Sequence, residues 1–159
     1  MSTTLNWEAR ELTGDDVSEL SAQMIAWAQA CYPNECCGLV VQTAAGQLEA
    51  IECENLQDKL HVLDCANYPR TARTAYSLDS RILLTVADNG SVLRAIFHSH
   101  PDRGAYFSEE DTLMALGGDP NGEPAFPGVD YIVLSARADG VDDVRLFRWN
   151  SVRRAFEAR

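Results

Sequence analysis

The chain has 159 residues, with 13 Lys+Arg against 24 Asp+Glu, a formal net charge of −11, 46% hydrophobic and 23% charged residues. Those proportions predict one globular domain over residues 1–159 and argue against disorder. The acidic balance speaks against nucleic acid and anionic membranes as partners, because both are polyanions.

The first residues, Met1 to Asp16, show no basic stretch followed by an apolar core, so no secretory signal is read and a cytoplasmic location is expected. The longest uncharged run, Leu20 to Asn34, has 15 residues, short of the roughly 20 apolar residues that cross a bilayer. Within Asp15 to Cys31, apolar side chains recur at Val17, Leu20, Met24, Ala28 and Cys31, the spacing of an amphipathic helix. Pro33 ends it. Residues 37–43 and 47–54 then read as two strands of a hairpin about Ala44-Ala45-Gly46. Residues 55–73 are polar and aperiodic, 74–78 read as a short strand, and 79–88 as a helix started by Asp79 and ended by Asn89-Gly90.

Val92 to His98 has the composition of a buried strand, and residues 101–107 form a loop. Ser108-Glu109-Glu110-Asp111 opens a short helix that stops at Gly117-Gly118. Residues 117–128 hold four Gly and three Pro and are a loop by composition. Residues 131–135 and 144–149 read as strands, and the arginines at 145, 148, 153, 154 and 159 as a solvated face. Strands interleaved with helices, some antiparallel, predict an α/β fold with a mixed β-sheet sandwiched by helices.

The five cysteines, 31, 36, 37, 53 and 65, are odd in number and contain no CxxC pair. A disulfide framework or a cysteine-caged zinc does not fit, and the cysteines read as small buried hydrophobes, with a nucleophilic Cys37 as the leftover reading.

Two of the three histidines form His98-Ser99-His100 at the end of a predicted strand. Side chains alternate along a strand, so both imidazoles point to one side and can reach one metal ion. Asp111 follows His100 after ten residues, a spacing that allows a hairpin-like loop to return its carboxylate to them. Two His and a carboxylate make a three-ligand zinc site with an open fourth position, as a hydrolase requires. Ser108 to Asp111 is also, by itself, a helix-capping box; the readings coexist, because a capped first turn is a rigid mount for a ligand.

Taken together, Glu35-Cys36-Cys37-Gly38, then His98-Ser99-His100-Pro101, then Ser108 and Asp111, closely resemble the JAMM (MPN+) metalloprotease motif, and every motif position is occupied. The order of elements is similar to that family's from about residue 15 to about residue 150. The resemblance implies the JAMM/MPN, cytidine-deaminase-like fold and a small prokaryotic-type member. It implies that His98, His100 and Asp111 bind one Zn2+ ion and that Glu35 accepts a proton from zinc-bound water and returns it to the leaving amine. Ser108 then donates to the oxyanion, Ser99 supports the site, and His61 is structural.

It further implies an isopeptidase or peptidase that cuts after the C-terminal Gly-Gly of a ubiquitin-like or sulfur-carrier protein. Such a tail can lie in a narrow groove by strand addition, with residues 117–128 as one wall. Three alternatives are weaker. A zinc deaminase requires a CxxC that the chain lacks. A catalytically silent MPN-type scaffold lacks motif residues that are present here, and a RadC-like relative fits the Glu35-Cys36-Cys37-Gly38 segment less well.

Overall fold

The computed structural model describes residues 11–159; the reading of the first ten residues lies outside them. Helix α1 spans Gly14–Cys31. Thr13 caps it in a reciprocal box, its Oγ1 accepting from the Asp16 N–H at 3.2 Å while Asp16 accepts from the Thr13 N–H at 2.8 Å. Strands β1 (Cys37–Gln42) and β2 (Leu48–Cys53) form the expected hairpin, turned at Gly46 with φ +86°.

The polar stretch that follows contains a short helix, α2 (Gln57–Leu63), that periodicity did not predict; Val62 and Leu63 on it are exposed, so no apolar stripe marks it. Helix α3 is Arg81–Asp88 and strand β3 is Val92–Pro101. Helix α4 is Glu109–Ala115, followed by Gly117 and Gly118, both at positive φ. Strands β4 (Asp130–Arg137), β5 (Gly140–Asn150) and β6 (Ala155–Ala158) complete the chain.

Residues 74–78 are not a strand. Thr74 closes a turn, and Asn55 holds the residues after it in place of a ladder: its Nδ2 donates to the Ala75 carbonyl and its Oδ1 accepts from the Ser77 N–H, each at 3.0 Å. Strand β6 lies in the Arg-rich end. There Arg148 leaves the expected solvated face, donating to Asp130 at 2.8 and 3.0 Å and to the Leu12 carbonyl.

The six strands form one mixed sheet in the order β2-β1-β3-β4-β5-β6, in which β3 and β4 alone are parallel. The β3 to β4 crossover carries α4, as a parallel connection requires. Helix α1 covers one face, packing Met24 and Ala28 on Val40, Phe97, Ile132 and Leu134. Helices α3 and α4 lie over the other, above Leu39, Ile96, Tyr131 and Val133. This is the mixed, helix-sandwiched α/β sheet expected from the sequence.

Gly38 belongs to this packing: a Cβ there would overlap the Phe97 ring and the Ile51 carbonyl. Cys36, Cys37 and Cys53 are buried as small hydrophobes, Cys31 is half-buried, and Cys65 departs from expectation by being exposed; all are free thiols. Among the described residues no helix is long and apolar enough to cross a membrane.

Candidate metal centre

The site lies where β3 ends beside the start of β1. Antiparallel pairing sets Cys37 opposite His98, so Glu35, two residues earlier, reaches the end of β3 that carries His100. Ser99 points to the α1 side and joins the two segments: its Oγ accepts from the Cys36 N–H at 2.8 Å, and its own N–H donates to the Cys36 carbonyl at 3.1 Å. His98 and His100 point to the other side, as alternation demands, with their Nε2 atoms 3.1 Å apart.

Asp111 reaches them from the first turn of α4. Its Oδ1 lies 3.2 Å from His98 Nε2 and its Oδ2 3.2 Å from His100 Nε2. Ser108 mounts that turn: its Oγ accepts from the Asp111 N–H, and Asp111 Oδ2 accepts from the Ser108 N–H, both at 3.0 Å. The cap therefore also fixes the Asp111 carboxylate beside the histidines.

His100 Nδ1 lies 2.9 Å from the Gly104 carbonyl, which can only accept, so Nδ1 carries the hydrogen and Nε2 presents its lone pair inward. Tyr76 stacks on His98 with centroids 4.6 Å apart, and Tyr106 leans on His100 at 5.0 Å. His98 Nδ1 is buried without a protein partner.

Glu35 is 3% exposed. Burial, then the nearby Asp111 charge, pushes its carboxyl up to about 8, while Arg103, whose Nη2 donates to Glu35 Oε2 at 3.0 Å, pulls the other way. Asp111 is also pushed up by burial, but the influence of His98, the two imidazoles against its oxygens and the bond from the Ser108 N–H hold it well below the usual carboxylate range. Cys37 does not join the site: its Sγ faces the Cys53 and Glu54 carbonyls, and burial holds the thiol far above its ordinary value. His61 also lies apart, its Nδ1 2.7 Å from the Tyr68 carbonyl.

The donors suit a divalent cation. Tetrahedral ligands about 2.05 Å from a common ion stand roughly 3.3 Å apart; the two imidazole Nε2 atoms stand 3.1 Å apart, and each has its own Asp111 oxygen at 3.2 Å. The inward lone pair of His100 and the anion of Asp111 both call for a cation between them. Ligand atoms of Glu35, His98 and His100 also lie within 4.8 Å of one another, so the histidine pair has a carboxylate on either side.

Glu35, His100, Arg103, Ser108 and Asp111 line one cavity of about 350 Å³. Across it Arg70 pairs with Glu110. A second cavity of about 380 Å³ shares Arg70, Tyr76, Glu110 and Met114 with the first and continues over Tyr68 and Leu113. The wall facing α4 thus comes from residues around 70–76, and the loop 117–128, expected to form one, lines neither cavity.

Residues 17–150 match the family described as prokaryotic homologs of the JAB domain. The chain belongs to that family. Two solved structures resemble this JAB domain in fold. A solution structure from Desulfitobacterium hafniense is 24% identical, with a TM-score of 0.60 over 89% of this chain and 86% of that one. Another, from Salinibacter ruber, is 20% identical, with a TM-score of 0.56 over 94% and 88%. No curated protein matches the chain. The JAB family, some of whose members are metalloisopeptidases, thus supplies the frame for a cluster able to hold a metal ion. Three neighbours of that cluster, Arg103, Tyr76 and Tyr106, escaped the sequence reading; the only local signal was an arginine between the second histidine and the serine.

Proposed function

We propose that this JAB domain is a zinc-dependent isopeptidase or peptidase that hydrolyses the bond after the C-terminal Gly-Gly of a ubiquitin-like or sulfur-carrier protein. The observation that carries the reading is the cluster of His98, His100 and Asp111, of which His100 and Asp111 line a cavity that also holds a buried carboxylate, Glu35. A zinc ion held by those three side chains supplies a Lewis acid that polarises a carbonyl and acidifies water.

Glu35 takes a proton from the attacking water as the new C–O bond forms, and delivers it to the amine as the C–N bond breaks. In the metal-free chain its burial raises its affinity for a proton. Ser108 Oγ already accepts from the Asp111 N–H, which leaves its hydroxyl hydrogen free to donate to the oxyanion. The adjoining cavities give an extended chain end room to lie between residues 68–76 and α4, and glycines, without side chains, fit closely beside Glu35 in such a cleft.

The test is intact-mass analysis of Gly-Gly-terminated ubiquitin-like and sulfur-carrier proteins, each extended at its C-terminus, after incubation with the zinc-loaded protein. Cleavage after the final glycine is expected, abolished by chelator and by Glu35→Gln. One equivalent of bound zinc with no cleavage of any carrier would instead favour a silent scaffold.

A further inference from the structure

The histidine pair is flanked by two carboxylates, and a metal ion recruiting both would have four protein ligands. Four-ligand zinc sites are closed and structural, whereas three-ligand sites keep a position for water. Asp111 is the nearer, at 3.2 Å from each Nε2. Glu35 is not excluded by distance, since its ligand atom stands within 4.8 Å of both histidine donors.

What restrains Glu35 is the charge-assisted bond from Arg103 Nη2 to its Oε2 at 3.0 Å, made where the carboxylate is buried and the guanidinium 32% exposed by side chain. Arg103 is itself fixed. Its carbonyl accepts from Ser135 Oγ at 2.5 Å, the adjacent Asp102 accepts from Tyr32 Oη at 2.9 Å, and the next residue, Gly104, holds His100 Nδ1. One short loop therefore sets both the ring that donates to the metal and the carboxylate kept from it.

We propose that Arg103 is a positioning residue that holds the Glu35 carboxylate out of the metal's coordination shell, so that Asp111 is the ligating carboxylate and the fourth position stays open. This rests on the metal-site reading above. Without the guanidinium, Glu35 loses the one side-chain hydrogen bond it makes among the described residues; Arg70 acts on it through charge alone, and its oxygens turn to the metal. The site then gains a fourth protein ligand and loses its exchangeable position.

The experiment uses the full chain loaded with Co2+, whose visible spectrum reports coordination, together with zinc affinity measured by competition with a chromophoric chelator. Azide is added as a small exogenous ligand. The wild-type spectrum is expected to change with azide. In Arg103→Met and in Arg103→Gln, the azide response is expected to vanish and zinc to bind about tenfold or more tightly. In Arg103→Met/Glu35→Gln both properties return to wild type.

An azide response and zinc affinity unchanged in both single variants would overturn the proposal. So would tightening that persists in the double variant, since lost positive charge would then account for it. A wild-type chain that binds neither metal sinks the metal reading beneath the proposal, and that failure shows in the wild-type arm alone.

Discussion

The two faces of β3 are built from alternate residues of one strand and do opposite things. Ala95 and Phe97 look toward α1 and meet an apolar layer of Met24, Ala28, Ile132 and Leu134 that has no polar gap to fill. Leu93 and Ile96 line the other face in the same manner, but His98 and His100 replace the next apolar positions; both face the Asp111 carboxylate, and His100 also faces the cavity. Burial on the first face stabilises the fold through lost apolar surface. On the second it sets proton affinity and donor spacing, and it costs stability, because charged groups are withdrawn from water. A strand end bolted on one side can therefore hold a strained electrostatic arrangement on the other.

The sharpest way to break that comparison is Glu35→Gln. Removing the base is expected to lower kcat by about 10²- to 10⁴-fold, with one equivalent of zinc still bound. The same substitution tests the cost of the polar face in metal-free protein. Burial raises the folded-state Glu35 from an ordinary value of 4.5 to about 8. Below 4.5 both folded and unfolded chains carry the neutral acid. Between 4.5 and 8 the unfolded chain ionises first, so stability falls as pH rises, and the loss levels off above about 8. Urea midpoints across pH 4.5 to 8.5 should show Glu35→Gln gaining on wild type toward the alkaline end. Parallel profiles would show that Glu35 is not held in this way.

On the apolar face, Leu134→Ala is expected to cost about 2–5 kcal/mol in denaturant unfolding, with zinc stoichiometry and affinity unchanged under native conditions. A loss of affinity alongside would show that the two faces are not separable. The smallest effect belongs to the junction, where Ser108 both caps α4 and faces the cavity. Ser108→Ala is expected to lose about 1 kcal/mol of stability, and its kcat, measured well below the melting range, to fall further than that change explains. Lost stability with unchanged kcat would leave Ser108 as a cap only.

Much of this was legible along the chain because it is written in short periods. Residues i and i+2 of a strand share a side, so His98-Ser99-His100 already places two imidazoles together and a third side chain opposite them. Ser108 with Asp111, three apart, marks a helix start by the same local geometry. Residues 74–78 form no strand because Asn55, about twenty residues earlier, supplies the hydrogen bonds that a ladder would make. Helix α2 and strand β6 were not assigned because neither presents a continuous apolar stripe.

The sequence by itself determined the strand and helix frame, the pairing of the histidines, and the family-like set Glu35, His98, His100, Ser108 and Asp111, since each rests on spacing along the backbone or on a shared motif. The tertiary structure decided that Arg103 meets Glu35 across 68 residues of sequence, that Tyr76 lies on His98, and that residues near 70–76 rather than 117–128 wall the cavity. Local periodicity carries no record of such meetings. They follow from how the sheet's order and register bring distant loops to one end of β3.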